Sequence, residues 1–535
     1  MTSLHDIDLR DRSKFRLIGE SVLSYRFAVP YDAMIFIGEI MKITDPVKNL
    51  IFYAKITDLL QEANFADPRW DTRPYADHFY HLGDDVYLIA EAVPLGFVGA
   101  DGYFRRPRTI PTKFSSVERP QAKDLSFLVQ VMGEIEVGVM KSGQDVLREV
   151  RVALPARVMP QHMGVFATTG MGKSNFMKVF CASCMKEQKF GVLIVDPHGE
   201  YTLGVPSSTG HPSRGLLHYQ EGRAGLTVFT TGPEEYRKKY SLNRLTLEYD
   251  DFRASDLLLL FDHSPAQHEL IEVLEHYDGS ELIDFFSTTD FENFSDVPYT
   301  GPHPDIARRI RTFSPSTLTV TKRRIGILVK SNSFLRHQGS SIPEILKRLE
   351  ENRVVLIDIP GMGERSELFV LSVITRNIMQ KQRGEAASGA QEDRREGHLS
   401  LIVIEEAQRV LGAGGRSTQV FRECAMEGRK FGVGLCVITQ QPRNVDSRVL
   451  AQLNTFVIMG LADRGDREII GSSAKQDLSR MDTEIQTLEP GEAILSTIGI
   501  PFPVSTRIHF FDNYIRELTG AQKKSLNEKF NGGFT

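Results

Sequence analysis

The stretch Gly164–Phe180, GVFATTGMGKSNFMKVF, constrains the fold more than any other part of the chain. An apolar strand enters a glycine-rich turn, followed by a lysine, a serine and a helix. Backbone N–H groups of such a turn, together with the N-terminus of the helix, form a cradle for phosphates. Ala167, Thr168, Thr169, Gly170, Met171, Gly172, Lys173, Ser174 and Asn175 fall on that cradle. Lys173 is placed to reach the β- and γ-phosphates of a nucleotide, and Ser174 to offer its hydroxyl to Mg²⁺. Alanine stands at 167, where the phosphate-loop spacing usually opens with glycine.

From Met163 onward, strands alternate with helices. MGVFA, FGVLIVD, RVVLIDI, LSLIVIEE, VGLCVIT and NTFVIMG are continuous apolar runs, as expected of parallel strands buried on both faces. The region between Tyr201 and Arg353 reads as a polar, helical insertion rather than more sheet. Residues 380–398, QKQRGEAASGAQEDRREGH, read as a mobile surface loop. The tail from Glu489 reads as a hairpin followed by a short helix.

Three later strands end in carboxylates. VLIVDPHGEY offers Asp196 and Glu200, VVLIDIPGMG offers Asp358, and LIVIEEAQRV offers Glu405 and Glu406. Asp358 opens a D-x-x-G like that of a GTPase, but too far down the chain, and AKQD at 474–477 is a poor guanine-recognition motif. The third strand suits hydrolysis best: Glu405 supports Mg²⁺ and Glu406 orients and deprotonates the attacking water, a role worth about 10²–10⁴ in rate. ATP is therefore the expected nucleotide. The next strand ends in CVITQQPRNVD, where Gln440 can touch both the γ-phosphate and that water. This order of elements resembles a RecA-like ATPase. In RecA-like rings the face carrying Arg429 and Lys430 packs against the neighbour's nucleotide, which makes Arg429 the candidate finger acting in trans.

Residues 16–150 read as β-rich, with the shape of a small barrel, and LPARVMPQH as the linker that follows. The fold expected is α/β. A small N-terminal β-barrel domain (1–154) precedes a RecA-like P-loop ATPase domain (155–535), which has a mainly parallel sheet and a helical insertion at about 205–350. Cys181 and Cys184 spell C-x-x-C behind the phosphate loop, but no second pair completes a metal site, so both are expected in the core. No apolar run approaches the roughly 20 residues that span a bilayer, and the N-terminus has no signal-peptide core; a cytoplasmic protein is expected, with no membrane contact. The net charge of −5 excludes a broadly basic face for nucleic acid, so any such contact must be local.

The barrel, the linker with His162, VDPHGEY, IEEAQRVL, EGRKFGVGLCVITQQPRNVD and PGEAILSTIGIPFPV together resemble the HerA family of hexameric DNA translocases and helicases. That resemblance implies a homo-hexamer acting on double-stranded DNA. It implies Lys173 and Ser174 on the phosphates, Glu406 as the catalytic acid, Gln440 as sensor, Arg429 as trans finger and Asp196 beside the nucleotide. Gln408 stands where many members have histidine. The glycine-rich loop LGAGGRSTQ, 411–419, offers Arg416 for a pore contact with DNA, and TVTKRR, 319–324, is the other basic candidate. Members work with a nuclease such as NurA in DNA repair, or with antiviral defence effectors such as sirtuin-like proteins. An ATP-gated scaffold for such an effector is the alternative reading. A conjugation or secretion-coupling ATPase is disfavoured by the absence of a membrane anchor.

Overall fold

The apolar runs after Met163 do pair as strands without an exposed residue. The computed structural model describes residues 15–30, 33–63, 86–205, 213–292, 294–295, 298–387, 398–412 and 419–520. The central strands are β1 (Met163–Phe166), β2 (Gly191–Asp196), β3 (Leu226–Thr230), β4 (Val354–Asp358), β5 (Ser400–Ile404) and β6 (Val433–Thr439), every residue of them buried. Their order is β3-β4-β2-β5-β6-β1. The pairs β3/β4, β4/β2, β2/β5 and β5/β6 are parallel. β1 is thus separated from β2, its successor in sequence, by β6 and β5. Crossover helices cover such a sheet on both faces, which is why its strands carry no polar alternation.

Two helices matter for the site. α1 (Lys173–Glu187) follows the phosphate loop and buries its residues from Phe176 to Met185. Cys181 and Cys184 lie inside that buried run as free thiols, and no metal-holding cluster of His, Cys, Asp or Glu occurs among the described residues. α2 (Glu364–Ala387) is longer than its sequence suggests. It carries 380–387 as helix, correcting the expected loop at 380–398, of which 388–397 lie outside the described residues. Polar composition at the end of a long helix is a solvated helical face, not a break.

The insertion is mainly helical, with helices at Pro265–Leu274, Gly279–Thr288, Pro304–Ile310, Pro315–Ser331 and Ile342–Glu350. Two of them start on a Ser-Pro pair, with Ser264 and Ser314 accepting from the backbone N–H groups of Gln267 and Thr317, the capping that this residue type favours. The expectation of no further sheet is overturned by β3. LTVFT pairs from Leu226↔Val354 to Thr230↔Asp358. Five residues are too few to stand out as a periodic signal inside a polar stretch.

By packing, the chain falls into two units. One comprises 156–165, 173–453 and 510–535; the other 1–155, 166–172 and 454–509. In the latter, strands at Tyr25–Pro30, Phe15–Glu20, Ser116–Glu118, Ile40–Asp45, Leu50–Ala63 and Val86–Val98 are neighbours in that order, and the first pairs back onto the last, closing a barrel. Leu17, Phe27, Met41, Ile43, Phe52 and Val117 fill it. Within the stretch expected to be β-rich, residues 125–140 are helical at Phe127–Val131 and extended only from Ile135. From there a hairpin, Ile135–Ser142 with Asp145–Leu154, pairs with the C-terminal strand Val504–Ile508, which continues antiparallel to Glu492–Thr497 and Thr455–Ile458. Residues 156–161, expected as linker, form a largely buried 3-10 turn. Among the described residues no helix is long and apolar enough to cross a membrane.

Candidate nucleotide site

Chain geometry at the phosphate loop explains its sequence. β1 ends at Phe166 and α1 begins at Lys173. Between them Gly170 and Gly172 take φ of 84° and 102°, a region open to glycine and strained for other residues. A Cβ built on Gly170 meets nothing within 4 Å, so the backbone there is open to an incoming group. Ala167, the departure from the usual glycine, is buried and does not take a positive φ, so alanine fits without strain. The turn is held by its own unit: Thr168 donates its N–H (3.1 Å) and hydroxyl (3.4 Å) to the carbonyl of Gly460, and the Met171 carbonyl accepts from the N–H of Gly491 at 3.0 Å. The first four N–H groups of α1 have no acceptor within the helix. Ser174 lies in this first turn, half-buried. Asn175 accepts the N–H of Phe511 on Oδ1 at 2.9 Å.

Glu405 and Glu406 follow β5 in a turn, and their environments differ. Glu405 is pushed up to about 7, above all by burial, with Glu200 and Asp196 adding to the shift against the hydroxyl of Tyr201, which donates to it. Burial acts on Glu406 in the same sense but is outweighed. Gln408 Nε2 donates to Oε2 at 2.8 Å and Gln440 Nε2 to Oε1 at 2.9 Å. With the Lys173 charge nearby, these hold the Glu406 carboxyl below its usual range. Two adjacent acids are thereby separated in basicity, the arrangement by which one site assigns distinct roles to like groups. Lys173 is the counterpart. Burial lowers its ammonium against the attraction of Glu406, Glu405 and Glu200, and it makes no hydrogen bond or ion pair with a described residue.

The other candidates separate. Asp196 is 1% exposed, and its oxygens accept from the N–H groups of Glu200, Tyr201 and Thr202 and from the Thr202 hydroxyl, at 2.7–3.0 Å. It fixes the turn carrying Tyr201 and so acts on Glu405 from behind. Asp358 is equally buried and accepts the Thr230 hydroxyl at 2.6 Å, so it serves the β3–β4 pair. Arg429 and Lys430 are exposed on a short 3-10 turn, Gly428–Phe431, before β6. Buried His162 lies under that charge. Its imidazole is pushed down to about 4, first by burial and then by Arg429, and its Nδ1 accepts the N–H of Leu435 at 2.9 Å. Arg416 lies outside the described residues. Of the basic run 319–324, two cations are engaged internally. Lys322 donates to the Thr289 carbonyl at 2.6 Å, and Arg324 donates to Gln267 Oε1 at 2.9 Å and stacks over Phe261.

Two residues escaped the sequence reading as parts of the site. Tyr201 holds Glu405, and Gln408 holds Glu406. The sequence signal for Tyr201 was its place five residues after a strand-end aspartate; Gln408 was visible only as a replacement for histidine.

Known proteins resemble this chain over much of its length. A family model described as "Helicase HerA, central domain" matches residues 135–378. The chain is 22% identical over 546 residues to the DNA double-strand break repair helicase HerA of Pyrococcus furiosus, covering 94% of this chain and 92% of that one. It is 24% identical over 456 residues to the probable helicase MJECL08 of Methanocaldococcus jannaschii, covering 81% and 82%. Among solved structures, the bacterial conjugative coupling protein TrwBdeltaN70 aligns with a TM-score of 0.45 at 11% identity, over 72% of this chain and 92% of that one.

Proposed function

The chain belongs to the HerA family and is an ATP hydrolase, and from that premise we propose an ATP-driven translocase that moves on double-stranded DNA as a homo-hexameric ring. The observation that carries the reading is the pairing of an unmatched cation with a fixed carboxylate: Lys173 without a salt-bridge partner among the described residues, and Glu406 held in place by the amides of Gln408 and Gln440.

In this reading the open backbone at Gly170 and the first amides of α1 bind the phosphates of ATP, and Lys173 neutralises their charge. The Ser174 hydroxyl and the Glu405 carboxylate would hold Mg²⁺, which when bound screens the phosphate oxygens. Glu405 suits that part because nearby acids make a second cation welcome. Glu406 orients a water, whose oxygen bonds to the γ-phosphorus as the bond to the bridging oxygen breaks, and takes the water's proton. Gln440, already on Glu406, exchanges that contact for the γ-phosphate and so reports whether ATP is intact. Arg429, exposed before β6, completes a neighbouring subunit's site, stabilising charge in the transition state.

The working division proposed for this motor is 1–154 and 155–535, with the barrel itself built from strands between Phe15 and Glu118 and the hairpin 135–154 paired onto the C-terminal strand Val504–Ile508. Its partner is a NurA-like nuclease or a defence effector such as a sirtuin-like protein, and its cellular role is end processing or defence. Its similarity to DNA double-strand break repair helicases supports the DNA part. The test is Glu406→Gln: ATP binding is retained and turnover falls by about 10² or more. Turnover at the wild-type rate overturns Glu406 as the base.

A further inference from the structure

The oxygens of Glu406 are held by amides of different origin. Gln440 Nε2 holds Oε1 from the segment just past β6, and Gln408 Nε2 holds Oε2 from two residues further along the turn. Gln408 is itself fixed. The Thr439 hydroxyl oxygen accepts the N–H of Gln441 at 3.0 Å, so its proton remains to be donated, and it goes to Gln408 Oε1 at 2.6 Å. That bond orients the carboxamide and leaves Nε2 facing Glu406 at 2.8 Å. Glu406 has φ of 44°, a backbone state a non-glycine residue keeps only when its surroundings impose it.

We propose that Gln408, anchored by Thr439, is a positioning residue that keeps Oε2 of Glu406 fixed throughout the hydrolytic cycle, while Gln440 is the partner that lets go. The inference rests on the assignment of Glu406 as the base. When Gln440 turns to the γ-phosphate, Oε1 becomes the one oxygen released to take the water's proton, and the carboxylate does not rotate because Gln408 still holds the other. Thr439 thus governs the base from the last residue of β6, directly before the sensor Gln440, so loss of the Gln440 contact changes the state of Glu406 without changing its place. A histidine at 408 keeps a ring N–H for the same oxygen, which makes Gln408→His the conservative variant.

The experiment compares Gln408→Leu, Gln408→His, Thr439→Val and the Gln408→Leu/Thr439→Val double variant, with Glu406→Gln as control. For each, kcat and KM for ATP, the affinity for a fluorescent ATP analogue and the melting temperature are measured. Gln408→Leu is expected to lower kcat about tenfold or more, the worth of a hydrogen bond to a charged group, with analogue affinity changed less than twofold. Gln408→His restores most of kcat. Thr439→Val lowers kcat a few-fold and adds nothing to Gln408→Leu, as two members of one chain of contacts require. Wild-type kcat in Gln408→Leu, no rescue by histidine, or additive losses in the double variant overturns the clamp. Loss of analogue affinity or melting temperature in step with kcat also overturns it, because a merely structural role predicts that. If Glu406→Gln retains turnover, the assignment of the base fails instead, and the two failures are told apart.

Discussion

The strand ends of the parallel core and the helices of the insertion both carry many charged side chains, and they differ in whether those charges are already matched. In the insertion, Lys322 and Arg324 are tied to a carbonyl, an amide oxygen and aromatic faces, and the helix starts are capped by local side chains. At the core, Lys173 faces three carboxylates without bonding to any described residue, and Glu406 holds its charge through neutral amides. Matched charge stabilises a fold. Charge kept ready beside an open backbone is what a phosphate recognises.

The comparison can be broken by substitution, and the largest effect is expected where the charge is unmatched. Lys173→Ala reduces ATP turnover to background in a phosphate-release assay, and retained activity would remove the loop as the site. Arg429→Ala follows, with a loss on the order of 10³. Mixing that variant with Lys173→Ala, once subunit exchange is shown, restores part of the activity, because one protomer then supplies the loop and the other the finger; absence of rescue at every ratio contradicts action in trans. The smallest effect belongs to the matched charge. Arg324→Ala lowers stability by about 1–2 kcal/mol through its lost hydrogen bonds and stacking, read by thermal denaturation, while affinity for duplex DNA stays within twofold. A large loss of DNA affinity at unchanged stability would turn the insertion into a binding surface and erase the contrast.

Much of the core was legible in the sequence because its code is local. Each apolar run from Met163 to Ile458 became a strand, and the glycines at 170 and 172 sit where positive φ is needed. What escaped depends on partners far along the chain. The hairpin 135–154 looks like more barrel until Gly138, Val139 and Met140 are seen paired with Ile508, Arg507 and Thr506. LTVFT is a strand only because β4 lies beside it on one side and the two-residue strand Asn243–Arg244 on the other. Gln408 shows no chemistry of its own; its amide is aimed by Thr439, 31 residues later. The same rule limits TVTKRR in the other direction, since basic residues in a run do not disclose that Thr289 and Gln267 already accept from two of them.

The most direct test of the central claim, that ATP split at the seam between identical subunits moves DNA, is the ATP turnover rate with and without duplex DNA on a sample whose mass is measured at the same time. The account predicts a six-subunit assembly whose turnover rises strongly on adding duplex. A monomer that hydrolyses ATP at full rate, indifferent to DNA, would contradict it.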